Sequence, residues 1–132
     1  MLLDSQSLVW FMQDDPRLGR RARKLLDSVP FLHFSAVSVA ELTMKSLSFG
    51  PNGKPKLVMP KNFVQILEEG GFKELTLHSS DSNELAKFLL LDRHDPMDRI
   101  LLAQASRNRM PFLTADRVLL SLGLDWVVDA QE

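Results

Sequence analysis

Met1-Leu2-Leu3-Asp4-Ser5 places a short apolar strand, an acid and a helix start in five consecutive residues. Met1 to Asp4 reads as a buried first strand. Ser5 to Asp14 follows as a helix with Leu8, Phe11 and Met12 at helical spacing, ended by Asp15-Pro16. Acids recur at comparable places downstream. Ser38-Val39-Ala40-Glu41 follows the apolar run Phe31 to Ala36, Asp95-Pro96-Met97-Asp98-Arg99 opens a later helix, and Phe112-Leu113-Thr114-Ala115-Asp116 ends a strand. In an open parallel sheet the carboxyl ends of the strands share one edge, and ligands bind in the crevice there. Asp4, Glu41, Asp98 and Asp116, far apart in sequence, are therefore expected to gather. Clustered carboxylates repel one another unless a cation neutralises them, and their hard oxygens suit Mg²⁺ or Mn²⁺.

The rest of the chain extends the alternation. Arg17 to Ser28 predicts a helix with Leu18, Ala22, Leu25, Leu26 and Val29 along one stripe, and Ser38 opens another that runs to Leu47. Phe49 to Pro60 is rich in turn formers, and Asn52-Gly53 marks it as a mobile loop or a small hairpin. Asn62 to Glu69 predicts a short helix stopped by Gly70-Gly71, and Phe72 to Leu77 a third strand. Asp81-Ser82-Asn83-Glu84 has the form of a capping box for a helix carrying Leu85, Phe88 and Leu89. Ile100 to Ala105 is too apolar all round for a surface helix. Pro111 to Thr114 predicts a strand, Asp116 to Leu122 a helix, and Trp126 to Val128 a closing strand. Strands alternating with helices imply an α/β sandwich, a mainly parallel central sheet flanked by helices, with residues 1–132 as one domain.

Composition narrows the chemistry. At 132 residues, with 45% hydrophobic and 25% charged, the chain can bury one core. With no cysteine, disulfides and thiolate metal sites are excluded, which fits a reducing cytoplasm. No signal peptide is expected at the N-terminus, and no apolar run reaches the ~20 residues of a membrane span. Neither a nucleophile elbow, a phosphate-binding glycine loop nor a dinucleotide fingerprint is present. The net charge of −1 conceals a basic segment, with Arg17, Arg20, Arg21, Arg23 and Lys24 unbroken by any acid. Such a segment could guide a polyanion, or simply be a solvated helix face.

Each acid also has a structural reading. Asp4 and Asp116 can cap the helices that follow them, and Glu41 stands at capping-box spacing from Ser38. Asp95 with Pro96 is an N-cap and first-turn pair, which would leave Asp98 to favour the helix dipole. A cap and a ligand occupy the same neighbourhood, so the two readings coexist. Of the histidines, His33 falls on a strand, His78 begins a loop, and His94 abuts Asp95 near the acids. One histidine does not define a ligand set. Trp10 and Trp126 read as core or interface residues.

Together these motifs resemble the PIN domain family, and within it the VapC-type toxins of bacterial toxin–antitoxin pairs. The matching pieces are Leu2-Leu3-Asp4-Ser5, Ser38-Val39-Ala40-Glu41-Leu42 with Lys45, His94-Asp95-Pro96-Met97-Asp98-Arg99-Ile100-Leu101-Leu102-Ala103-Gln104-Ala105, and Leu113-Thr114-Ala115-Asp116. The resemblance implies a PIN-like three-layer sandwich and a Mg²⁺- or Mn²⁺-dependent endoribonuclease. Asp4, Glu41, Asp98 and Asp116 match the family's acidic quartet. Asp4, Asp98 and Asp116 would hold metal, while Glu41 takes a second ion or orients the attacking water. Thr114 matches a hydroxyl that helps orient the site, Ser5 stands where threonine is common, and Arg99 is a candidate to offset RNA charge. Asp95, outside the quartet, is assigned to capping with an outer role. The Phe49–Lys56 segment is longer than in many relatives. The resemblance also implies an RNA substrate, a homodimer, and a small antitoxin whose C-terminal segment covers the acidic pocket. Competing readings are a PIN-like binding module without catalysis and a receiver-like Mg²⁺-binding signalling domain. No lysine after Lys87 argues against the receiver, and Asp4-Ser5-Gln6-Ser7 against a haloacid-type phosphatase.

Overall fold

Five short strands form one all-parallel sheet: β1 (Leu2–Leu3), β2 (His33–Ser35), β3 (Lys73–Leu75), β4 (Phe112–Thr114) and β5 (Val127–Asp129), in the order β3-β2-β1-β4-β5. The structure is a computed structural model that describes residues 1–132. Seven α-helices accompany the sheet: α1 (Ser5–Met12), α2 (Arg20–Ser28), α3 (Ala36–Leu47), α4 (Phe63–Glu69), α5 (Ser79–Asn83), α6 (Pro96–Arg107) and α7 (Arg117–Leu120). None is long and apolar enough to cross a membrane.

Strand residues alternate between two cores, as a period of two requires. Leu3, Phe34 and Leu113 face one side and pack with Leu8, Leu26 and Leu67 of α1, α2 and α4. Leu2 and Phe112 face the other and meet Leu101, Leu102 and Ala105 of α6 with Leu119 of α7. Leu101 to Ala105 are all buried, so the all-round apolarity of this segment reflects a helix covered on most sides. Each fully buried leucine contributes about 1.5–3 kcal/mol of transfer free energy.

The chain builds outward from β1 to β2 and β3, then returns to place β4 on the other side of β1. The strand order therefore reverses between β1 and β4, where open α/β sheets bind their ligands. This order differs from the 2-1-3-4-5 arrangement of receiver domains, which removes that reading on topology.

Three local expectations need correction. Helix α3 begins at Ala36, capped by the Ser35 hydroxyl, which accepts from the Val37 amide at 3.0 Å. Glu41 consequently lies inside the helix and caps nothing, and Ser38 is buried. Asp81 is the third residue of α5 rather than its cap: its Oδ2 accepts from the His78 amide at 2.9 Å, and Oδ1 faces Arg107 and Asn108 at 3.4 Å each. That buried carboxylate thus closes the cap from inside the helix, with the end of α6 adding longer contacts from across the molecule. The helix expected through Leu85 and Leu89 breaks into 3-10 turns at Glu84–Lys87 and Leu89–Leu91. Phe88 (φ −115°, ψ 53°) interrupts it, which turns Leu91 into the core and leaves Leu89 and Leu90 exposed. In the basic segment, three of the five cations pair with acids outside it, Arg17 with Asp15, Arg21 with Glu132 and Arg23 with Asp14. The Asn52-Gly53 turn does form: Phe49 bridges Pro55 antiparallel, with Gly53 at φ +70°.

Candidate metal centre

The end of β1 delivers Asp4 to the switch point. Its amide donates to the Leu113 carbonyl of β4 at 2.9 Å, and its side chain is buried. Oδ1 caps α1 by accepting from the Ser7 amide at 2.6 Å. Oδ2 accepts from the Thr114 hydroxyl at 2.5 Å and the Ala115 amide at 3.3 Å. Burial raises the Asp4 pKa from its ordinary value, against the downward pull of these donors.

Thr114, the last residue of β4, ties two acids together. While donating to Asp4, its Oγ1 accepts from the Asp116 amide at 3.0 Å. Asp116 in turn caps α7, its Oδ1 accepting from Val118 and Leu119 at 2.8 and 3.0 Å. Its other oxygen, Oδ2, is left to face His94 Nε2 at 3.0 Å.

Glu41 arrives on the second turn of α3. Ser5, the residue after Asp4, donates from Oγ to Glu41 Oε2 at 2.5 Å, and Lys45 pairs with Oε1 at 2.7 Å one turn along. Ser5, Lys45 and Lys56 share the wall of a cavity beside this carboxylate. Asp95 is the N-cap of α6, accepting from Met97 and Asp98 at 2.8 and 3.4 Å, with Pro96 at the first helical position.

Asp98 is the electrostatic centre of the group. Burial, and then the charges of Asp4, Asp95, Asp116 and Glu41, push its pKa up to about 7. Asp4, Glu41 and Asp116, with the capping Asp95, therefore all lie near enough to Asp98 for their charges to act on it. Arg99 does not join them: its Nη1 donates to the Asp92 carbonyl at 3.3 Å, and no ion pair links it to the four acids.

His94, which the sequence placed nearby without a role, is the one histidine to enter. Its Nε2 lies 3.0 Å from Asp116 Oδ2 and 3.6 Å from Asp98 Oδ2, and donor atoms of His94, Asp98 and Asp116 all fall within 4.8 Å of one another. Nε2 is buried and makes no hydrogen bond. An orphaned nitrogen facing two carboxylates, one of them shifted by burial and then by its neighbours' charge, fits a divalent cation. The signal available in the sequence was the i, i+4 spacing of His94 and Asp98 across the start of α6.

A family model described as the PIN domain matches residues 1–123. No curated protein matches the sequence. Among solved structures, a toxin–antitoxin complex from Klebsiella pneumoniae has a chain that is 17% identical, with a TM-score of 0.65 over 99% of this chain and 98% of that one. VapBC2 from Rickettsia felis, bound to a DNA fragment from its promoter, is 12% identical with a TM-score of 0.64, covering 97% and 95%. FitAcB from Neisseria gonorrhoeae is 25% identical with a TM-score of 0.59, covering 87% and 86%.

Proposed function

This chain belongs to the PIN domain family, and from that premise we propose that it is a Mg²⁺- or Mn²⁺-dependent endoribonuclease, the toxin of a toxin–antitoxin pair. The observation that carries the proposal is the convergence of Asp4, Glu41, Asp98 and Asp116 at the β1/β4 switch point. A bound divalent ion would supply charge neutralisation at the scissile phosphate and activation of the attacking water. Asp98 and Asp116 would hold it. Asp4, with both oxygens already hydrogen-bonded, would join them through lone pairs left over or through water. Thr114 would keep Asp4 and Asp116 in register, and Ser5 would orient Glu41 toward a second ion or the attacking water. Lys45 and Lys56, beside Ser5, and Arg99 would offset the charge an RNA backbone brings. Asp95 would act as the cap that sets the start of α6.

The solved neighbours that are toxin–antitoxin complexes support an antitoxin as partner; its small size, and a homodimer as the working form, are what the family resemblance implies. Location in the cytoplasm follows from the same reading. The decisive experiment is cleavage of RNA by the purified chain with Mg²⁺ or Mn²⁺, with and without chelator, beside Asp4→Asn. Cleavage that survives both chelation and substitution would defeat the proposal. Metal binding without any cleavage would favour a binding module.

A further inference from the structure

We propose that His94 is a direct metal ligand, giving the acidic site a nitrogen donor and a preference for Mn²⁺ over Mg²⁺. The inference rests on the metal-dependent reading above.

Three placements argue for it. The His94 amide donates to the Leu91 carbonyl at 3.0 Å, and the next residue caps α6, so the imidazole and Asp98 project from the same helix end. Asp116 divides its oxygens: Oδ1 is spent on the α7 cap, while Oδ2 turns to His94 Nε2 at 3.0 Å. Nε2 itself is buried without a hydrogen bond. An imidazole nitrogen and a carboxylate oxygen are both acceptors unless something lies between them, either a proton on the ring or a shared cation. A proton serves one oxygen at a time, whereas a cation takes His94, Asp98 and Asp116 together, whose donor atoms lie within 4.8 Å of one another.

The donor set then selects the ion. Mg²⁺ demands oxygen ligands and retains its water, whereas imidazole favours transition metals, among which Mn²⁺ also accepts carboxylates. Four carboxylates alone would not distinguish the two ions strongly. Adding a buried nitrogen tilts the site toward the transition metal.

The test is pulsed electron paramagnetic resonance of the full chain loaded with Mn²⁺, read for coupling to a directly bound ¹⁴N, with displacement of Mn²⁺ by Mg²⁺ alongside. Wild type should show the coupling, and His94→Gln should lose it. The Mg²⁺ needed for displacement should fall roughly 10–100-fold, the range seen when ligand environments are perturbed. Should His94→Gln fail to fold, wild type labelled with ¹⁵N-histidine tests the same contact, since the coupling must change with the label. Mn²⁺ bound without nitrogen coupling, or a coupling indifferent to the label, overturns the role of His94 and leaves the metal-dependent reading standing. No Mn²⁺ bound by wild type overturns both.

Discussion

Asp98 shows how one carboxylate can be at odds with its own fold. In the unfolded chain an aspartate titrates near ~3.9, while in the folded protein burial and four acidic neighbours push Asp98 up to about 7. Between those values the folded state holds a proton that the unfolded state has released, so stability falls as pH rises from about 4 to about 7 and levels off above. The raised pKa of buried Asp4 acts in the same direction. Melting in chelator across this interval should therefore show a decline, and Asp98→Asn should flatten it. At pH ~8 that variant should melt about 3–5 °C higher than wild type without metal, corresponding to roughly 1 kcal/mol of relieved repulsion. Its RNA cleavage should drop at least ~10²–10³-fold, the scale for losing one preorganised electrostatic group. A destabilised Asp98→Asn that still cleaves RNA would instead make Asp98 a helix-dipole residue. Thr114 offers a separate check. Thr114→Val removes the hydroxyl that donates to buried Asp4 at 2.5 Å. The cost should be about 1–3 kcal/mol, visible in denaturant unfolding, with Thr114→Ser close to wild type.

Helix termini carry the site at the next scale. Asp4, Asp95 and Asp116 cap α1, α6 and α7 respectively. The structural and the functional readings of these acids thus describe different oxygens of the same residues, most clearly in Asp116. Asp95 is the discriminating case, because both its recorded bonds are made by one oxygen to the amides of α6. Asp95→Ala should lower stability by ~1 kcal/mol, as loss of an N-cap does. It should still allow Mn²⁺ to raise the melting temperature. A variant with normal stability and no response to Mn²⁺ would move Asp95 into the ligand set. Helix α6 is also pinned from beneath: Gln104, fully buried, accepts from the Ser35 hydroxyl at 2.5 Å and donates to the Thr76 carbonyl at 3.2 Å. Those bonds fix α6 against the ends of β2 and β3, and with it the direction of Asp98.

Over the whole molecule, apolar surface lies unevenly. Trp10 is core, with Arg17 stacked on its ring, while Phe11 packs edge-on against Phe72 and stays partly exposed. More exposed are Met44 and Leu47 on α3, with Phe49 and Val58 in and beside the hairpin. Surfaces of this kind mark interaction sites when contiguous. On the proposed toxin reading they would meet a partner. Light scattering at micromolar concentration should report a dimer, and a strictly monomeric species would count against it. A peptide from the antitoxin that enters the acidic pocket should lose potency as Mg²⁺ or Mn²⁺ rises, and indifference to the ion would place it elsewhere.

The residues themselves determined the strand–helix alternation, because apolar runs of strand length followed by helix-start signals are local. They also determined which carboxylates end strands, since Asp4 and Asp116 sit where β1 and β4 stop. Other features lay beyond their reach. The start of α3 moved to Ala36 because Ser35 caps it while also bonding Gln104 across the molecule, and Asp81, which closes the α5 cap by accepting from the His78 amide, is also faced by Arg107 and Asn108 from the end of α6. Within the basic segment, only the pairing of Arg21 with Glu132 reaches an acid distant in sequence. Above all, the approach of His94 Nε2 to Asp116 joins the loop before α6 to the end of β4. Spacing along a chain specifies hydrogen bonds within a turn or two. Which carboxylate meets which nitrogen across the β1/β4 crevice depends on strand order, and strand order is decided only when both faces of the sheet are covered.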